Sequence, residues 1–138
     1  MVHQWHGTLE LIRRALAEDI TVSDATTALL PEQLTASAKL QCQDSGILAG
    51  IEVALSVFCE IDPLIKCQSL VSDGTRIEPG QTIATIDGVL ASILRAERTA
   101  LNFLQRMSGV ATATHEMVEK ISGLPSLIVD TRKTIPGW

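Results

Sequence analysis

Two sets of side chains in this sequence could recognise an anion. Near the end of the chain, Leu127, Ile128 and Val129 run into Asp130, Thr131, Arg132, Lys133 and Thr134, and a Pro136-Gly137 turn follows. Arg132 offers a planar fork that matches a carboxylate or phosphate, Lys133 a point charge, and the threonines hydroxyls for the same anion. Side chains at the carboxyl end of a parallel strand face the crevice where α/β folds bind ligands. A basic pair after a strand can equally be a solvated loop. The second set lies on a long helical stretch, where Arg95, Arg98, Asn102 and Gln105 recur at i, i+3 and i+4 spacing and form one polar stripe. Beside it Leu90, Leu94, Glu97, Leu101 and Leu104 follow a helical stripe that Glu97 interrupts. A carboxylate on an apolar face is costly unless it is paired. One reading is an exposed face with ordinary ion pairs; the other puts Arg98 and Asn102 in a ligand site or interface, with Glu97 holding the geometry.

Other chemistry has little support. His3, His6 and His115 lack a cysteine or carboxylate at ligand spacing and read as structural or surface residues. Cys42, Cys59 and Cys67 are odd in number and contain no C-x-x-C pair, which suits reduced, mostly buried thiols in a cytoplasmic protein. No Walker A loop, G-x-G-x-x-G or G-x-S-x-G string occurs. "DGTRIEPGQTIATIDG" has the turn rhythm of a biotinyl or lipoyl carrier half-barrel but contains no lysine, so it reads as scaffold.

The elements that must position these groups belong to a chain of 138 residues, room for one domain or one domain and part of another. Apolar residues make up 46% and aromatics only 3%, so the core is aliphatic and stacking platforms for single-stranded nucleic acid are disfavoured. The formal net charge of −5 argues against non-specific nucleic-acid or membrane-surface binding. The N-terminus has no apolar segment of signal-peptide type, and no window reaches the length of a membrane span.

"TLELIRRALAED" is expected to form a helix with Leu9, Ile12 and Leu16 on one face. A Thr/Ser/Asp-rich loop with Asp24 as a cap or turn residue follows, then a half-buried strand, "LTASAKLQCQ", with Leu34, Ala36, Ala38 and Leu40 on one side. "DSGILAG" reads as a turn and "IEVALSVFCEI" as a helix closed by Asp62-Pro63. Turn signals at Asp73-Gly74, Pro79-Gly80 and Asp87-Gly88 punctuate the short runs "LIKCQSLV", "RIE" and "QTIATI", implying an antiparallel sheet. From Val89 a helix is expected to end at Gly109, and "VATATHEMVEKISG" to form another ending at Gly123. "LPSLIVD" reads as a strand buried on both faces, as in a parallel sheet or barrel. The fold class is therefore α+β, a helix and antiparallel-sheet domain over residues 1–110, with residues 111–138 opening a second unit. A lone parallel strand is not a finished domain, so this second unit is expected to pack loosely or to associate with another chain.

Taken together, "ILRAERTALNFLQRMSGVATAT" and "VDTRKTIPG", supported by "ALAEDI", "DATT", "GILAG" and "DGTRIEPGQTIATIDG", resemble the quinolinate phosphoribosyltransferase family. The resemblance covers residues 9–137. It implies an α+β N-terminal domain followed by an α/β barrel of which this chain holds only the first strand. The implied activity, that of a carboxylating nicotinate-nucleotide pyrophosphorylase, is a pentosyl transfer that joins quinolinate to phosphoribosyl pyrophosphate with magnesium, Mg2+. The products are nicotinate mononucleotide, pyrophosphate and CO2, on the de novo route to NAD. By motif, Arg98 is implied to reach quinolinate across a subunit interface in a dimer or higher homo-oligomer. Thr131, Arg132 and Lys133 are implied to bind substrate at the end of the first barrel strand, and Lys133 is the catalytic candidate. The magnesium ligands are expected in the C-terminal part that this chain lacks. Ser23 stands where the family often has Gly, Ile135 replaces the second Thr of T-R-K-T-T-P-G, and Trp138 stands where Leu-Arg usually follows. A chain stopping there cannot close a barrel, so it is expected to be an N-terminal fragment without independent catalysis. Two alternatives stand beside this: a non-catalytic interaction module, and a molybdenum-transport-associated homologue of the same fold.

Overall fold

The computed structural model describes residues 6–20, 27–131 and 133. Helix α1 (His6–Asp19) buries Ile12 and Leu16, with Leu11 and Ala15 packed beside them. A short 3₁₀ turn at Thr27–Leu29 precedes strand β1 (Thr35–Gln41). The alternation expected in β1 is present: Ala36, Ala38 and Leu40 turn inward and the residues between them outward. Strand β2 (Gly46–Ile47) leads into helix α2 (Ile51–Ile61), followed by β3 (Lys66–Ser69), β4 (Arg76–Ile77), β5 (Thr82–Val89) and helix α3 (Leu90–Lys120). The main sheet runs β1-β5-β3, all antiparallel, and β2 pairs with β4 in a second ladder. The architecture is thus α+β, as expected, with α2 and α3 packed against each other over the sheet.

The core is aliphatic apart from Phe58 and Phe103. Helix α2 is buried on most of its circumference, and Ile51, Val57 and Phe58 are sealed from solvent. Asp73 holds its N-terminus. One carboxylate oxygen accepts from the Gly50 N–H at 2.8 Å and the other from the Ile51 N–H at 3.0 Å, satisfying donors that a helix start leaves without partners. Asp62 ends the helix as expected, its N–H returning to the Phe58 carbonyl and its side chain accepting from the Leu64 N–H.

Four expectations change. Asp87 and Gly88 are not a turn but lie inside β5, paired with Ser37 and Ala36. A Cβ at Gly88 would come within 2.7 Å of Ile65 Cγ1, so glycine is there for close approach within a strand. "DSGILAG" is more than a turn, since Gly46 and Ile47 form β2. The two helices expected on either side of Gly109 are one helix of 31 residues. Gly109 keeps a negative φ, whereas Gly123 takes the left-handed φ of 84° just past the helix end. The β2 segment splints the helix across Gly109: Ser108 Oγ accepts from the Ala49 N–H at 3.0 Å, and Thr112 Oγ1 accepts from the Ile47 N–H at 2.9 Å. Finally, 127–129 has no ladder partner and is not a strand; Leu127 and Val129 are almost fully exposed. A parallel strand needs a neighbour to satisfy its backbone, and none lies beside this segment among the described residues.

Candidate functional site

The "GILAG" string explains how α3 is held. Gly50 has φ of 87°, and a Cβ there would meet Met107 Sδ at 2.4 Å; a Cβ on Gly46 would meet Thr112 Oγ1 at 2.7 Å. Both glycines let the β2 backbone lie directly on α3. Along α3, Ile93, Ala96, Ala100, Phe103 and Leu104 face the core, and Met107, one turn after Phe103, packs against it too. This face is rotated from the stripe through Leu90, Leu94, Glu97 and Leu101. Small Ala96 and Ala100 sit at its centre, the leucines of the expected stripe are half-buried apart from Leu104, and Glu97 is exposed. Glu97 therefore carries no burial cost, and it makes no hydrogen bond or ion pair among the described residues that would give it the geometry-holding role.

With that orientation fixed, Arg95, Arg98, Asn102 and Gln105 all point to solvent. Asn102 and Gln105 continue into an open depression along the helix with Arg106, Gly109, Val110 and Ala113. Arg98 is anchored. Its Nη1 donates to Asp19 Oδ1 at 2.9 Å, and the other oxygen of the same carboxylate accepts from Thr99 Oγ1 at 3.3 Å. Thr99 is buried, the Asp19 side chain is 23% exposed and the Arg98 side chain 76%. One carboxylate at the end of α1 thus ties two consecutive residues of α3. It fixes the near side of the guanidinium and leaves its outer edge toward solvent.

Asp19 had no role in the sequence reading, though a signal existed. Glu18 and Asp19 close α1 with no basic residue in its last turn. Acids there oppose the helix dipole, so a partner from elsewhere is expected.

The second candidate set is only partly visible. Thr131 and Lys133 are exposed, and Thr131 Oγ1 accepts from the Lys133 N–H at 3.2 Å, a local turn contact. Arg132, Thr134 and the residues after it, like His3 and Asp24, lie outside the described residues. Residues 122–131 are exposed throughout and do not pack on the domain. Among the described residues no hydrogen bond or ion pair joins Thr131 or Lys133 to Arg98, whose partner is Asp19. His115 pairs with Glu119 at 3.3 Å on the helix surface.

Comparison with known proteins decides what this frame is. A family model described as quinolinate phosphoribosyl transferase, N-terminal domain, matches residues 24–108. The chain belongs to the quinolinate phosphoribosyltransferase family. A mitochondrial quinolinate phosphoribosyltransferase of Nicotiana tabacum is 38% identical over 98% of this chain and 38% of that protein. A carboxylating nicotinate-nucleotide pyrophosphorylase of Mycobacterium leprae is 39% identical over 97% of this chain and 49% of that protein. Among solved structures, the nicotinate-nucleotide pyrophosphorylase of Francisella tularensis superposes with a TM-score of 0.88 at 38% identity, over 95% of this chain and 47% of that one. The chain thus spans between about two fifths and half of these family members. Asp19 lies before the matched segment, while Arg98 and Thr99 lie inside it.

Proposed function

We propose that this chain supplies the N-terminal part of a quinolinate phosphoribosyltransferase site, with Arg98 as its substrate-facing group. The observation that carries the reading is the anchoring of Arg98, an outward guanidinium held by Asp19 in the E-R-T string of the matched family segment. Quinolinate is a dicarboxylate, and a held guanidinium edge is the donor geometry that a carboxylate accepts. The ring nitrogen attacks the anomeric carbon of phosphoribosyl pyrophosphate and expels pyrophosphate. The carboxylate next to that nitrogen then leaves as CO2, and its bonding electrons stay on the ring carbon until a proton arrives. A cation close to that carbon lowers the barrier. Lys133 is our candidate for it, with Thr131 and Arg132 binding substrate beside it. Because Arg98 stands on an open helix face, a second surface must enclose the substrate. This favours a homo-oligomer, a dimer or larger, in which Arg98 serves a neighbouring subunit's site.

No three His, Cys, Asp or Glu side chains converge among the described residues, and a magnesium ion carried by a pyrophosphate substrate needs only one or two carboxylates from the protein. We place the domain boundary after residue 110, where α3 leaves the body: from 113 to 120 every residue except His115 is exposed. No helix among the described residues is long and apolar enough to cross a membrane. The odd cysteine number favours the cytoplasmic placement, although the tobacco relative is named mitochondrial. The names of the relatives favour quinolinate over the molybdenum-transport reading.

The test is a chimera in which these 138 residues replace the matching segment of the Mycobacterium leprae enzyme. Assembly is checked by light scattering, and CO2 release from carboxyl-labelled quinolinate is measured. Turnover dependent on both substrates is expected. A folded, assembled chimera that releases no CO2 overturns the proposal.

A further inference from the structure

Cys59 and Cys67 are eight positions apart and were separate, unremarkable thiols in the sequence. The fold brings them together. Cys59 lies in the last turn of α2, and β3 packs beside that helix. The Cys67 Sγ lies 3.9 Å from the Leu55 carbonyl oxygen. In an α-helix that carbonyl is the acceptor for the N–H four residues on, which is Cys59. Cys67 therefore sits over the helical turn that ends at Cys59, which places the two thiols in one neighbourhood. Both are free; Cys59 is exposed and Cys67 half-buried.

We propose that Cys59 and Cys67 form a dithiol site that low-molecular-weight disulfides convert into an intramolecular disulfide joining α2 to β3. The exposed Cys59 thiolate attacks one sulfur of the small disulfide and expels one small thiolate, leaving a mixed disulfide on Cys59. Cys67 then loses its proton to solvent, attacks the Cys59 sulfur and expels the second small thiolate. Two protein thiols are oxidised by two electrons, and one small disulfide is reduced to two thiols.

The neighbourhood sets the rates. Burial, then the adjacent Cys59 and the Asp87 carboxylate, push the Cys67 thiol up to about 12. Lys66, next in the chain, pairs with Asp87 across the sheet, and its side chain is exposed. Cys67 is thus a poor first nucleophile and acts as the resolving thiol. It is also a poor leaving group, so a reductant attacking the exposed Cys59 sulfur would regenerate the dithiol slowly.

The test uses the 138-residue chain itself in a Cys42→Ser background, incubated natively with glutathione disulfide and mapped by peptide mass spectrometry. The expected product is a linked peptide pair containing Cys59 and Cys67, with intact mass lower by about 2 Da, the two hydrogens lost. Cys67→Ala should instead stop at a stable glutathione adduct on Cys59, about 305 Da heavier, because the resolving step is gone. The proposal is overturned if the parent chain also accumulates the Cys59 adduct, if Cys59 does not react, or if it links between molecules instead. None of these outcomes depends on transferase activity, so they leave the proposed function untouched.

Discussion

Replacing Asp73 by Ala removes the group that starts α2. Its two oxygens accept from the Gly50 and Ile51 N–H groups at 2.8 and 3.0 Å, and both contacts are partly buried. A lost helix cap costs about 1 kcal/mol, and a second charge-assisted acceptor adds about as much again, so about 2 kcal/mol is expected. At this chain length that is a fall in Tm of about 8 °C. Asp73→Asn keeps one acceptor oxygen and should lose about half. Urea unfolding followed by circular dichroism measures both, and the slope against denaturant should stay constant because the surface exposed on unfolding is unchanged. A loss below about 0.5 kcal/mol for Asp73→Ala would refute the view that this carboxylate, reaching across from the β3–β4 connection, caps α2.

Asp19→Asn should barely change stability, by less than about 1 kcal/mol, because the Arg98 partner is largely solvated. In the chimera it should raise the KM for quinolinate several-fold while folding is retained, and an unchanged KM would sink the anchoring role. Gly50→Ala should destabilise by about 2 kcal/mol, since φ is 87° and Met107 Sδ blocks the new methyl. Gly109→Ala lies mid-helix with nothing within 4 Å of the added carbon, and should stabilise by up to about 1 kcal/mol. Thermal melts of both variants check that opposite pair of signs. The raised pKa of Cys67 means that the unfolded chain ionises this thiol first. Its stabilising effect is therefore complete below about pH 9 and is lost as pH climbs toward 12. Cys67→Ala should flatten that alkaline decline in urea midpoints, and an identical decline in the variant would contradict it.

Much of this architecture is legible in the sequence because local pattern and tertiary context agree there. The period-2 alternation from Thr35 to Gln41, the Asp62-Pro63 stop and the positive-φ glycines at 74 and 80 act through the backbone within a few residues of themselves. Misreadings fall where a distant segment overrides a local rule. Gly88 looks like a turn glycine but answers to Ile65, and Gly109 looks like a helix end but is splinted by hydroxyls bonded to Ala49 and Ile47. The site divides the same way. Arg98 stands out by helical spacing, yet its anchor comes from α1, 79 residues earlier, and no local pattern joins the two. The proximity of Cys59 and Cys67 likewise depends on how β3 returns along α2.

The central claim is that the Arg98 guanidinium, held by Asp19, contacts a quinolinate carboxylate. The most direct measurement is kcat/KM for quinolinate in the chimera with Arg98→Ala and Arg98→Lys, with phosphoribosyl pyrophosphate saturating. Losing a charge-assisted hydrogen bond at about 1.5–3 kcal/mol predicts a fall of roughly 10- to 150-fold for Ala. Lys should recover only part of it, because it lacks the fork. An Arg98→Ala chimera that keeps its assembly and the kcat/KM of its parent would contradict the account.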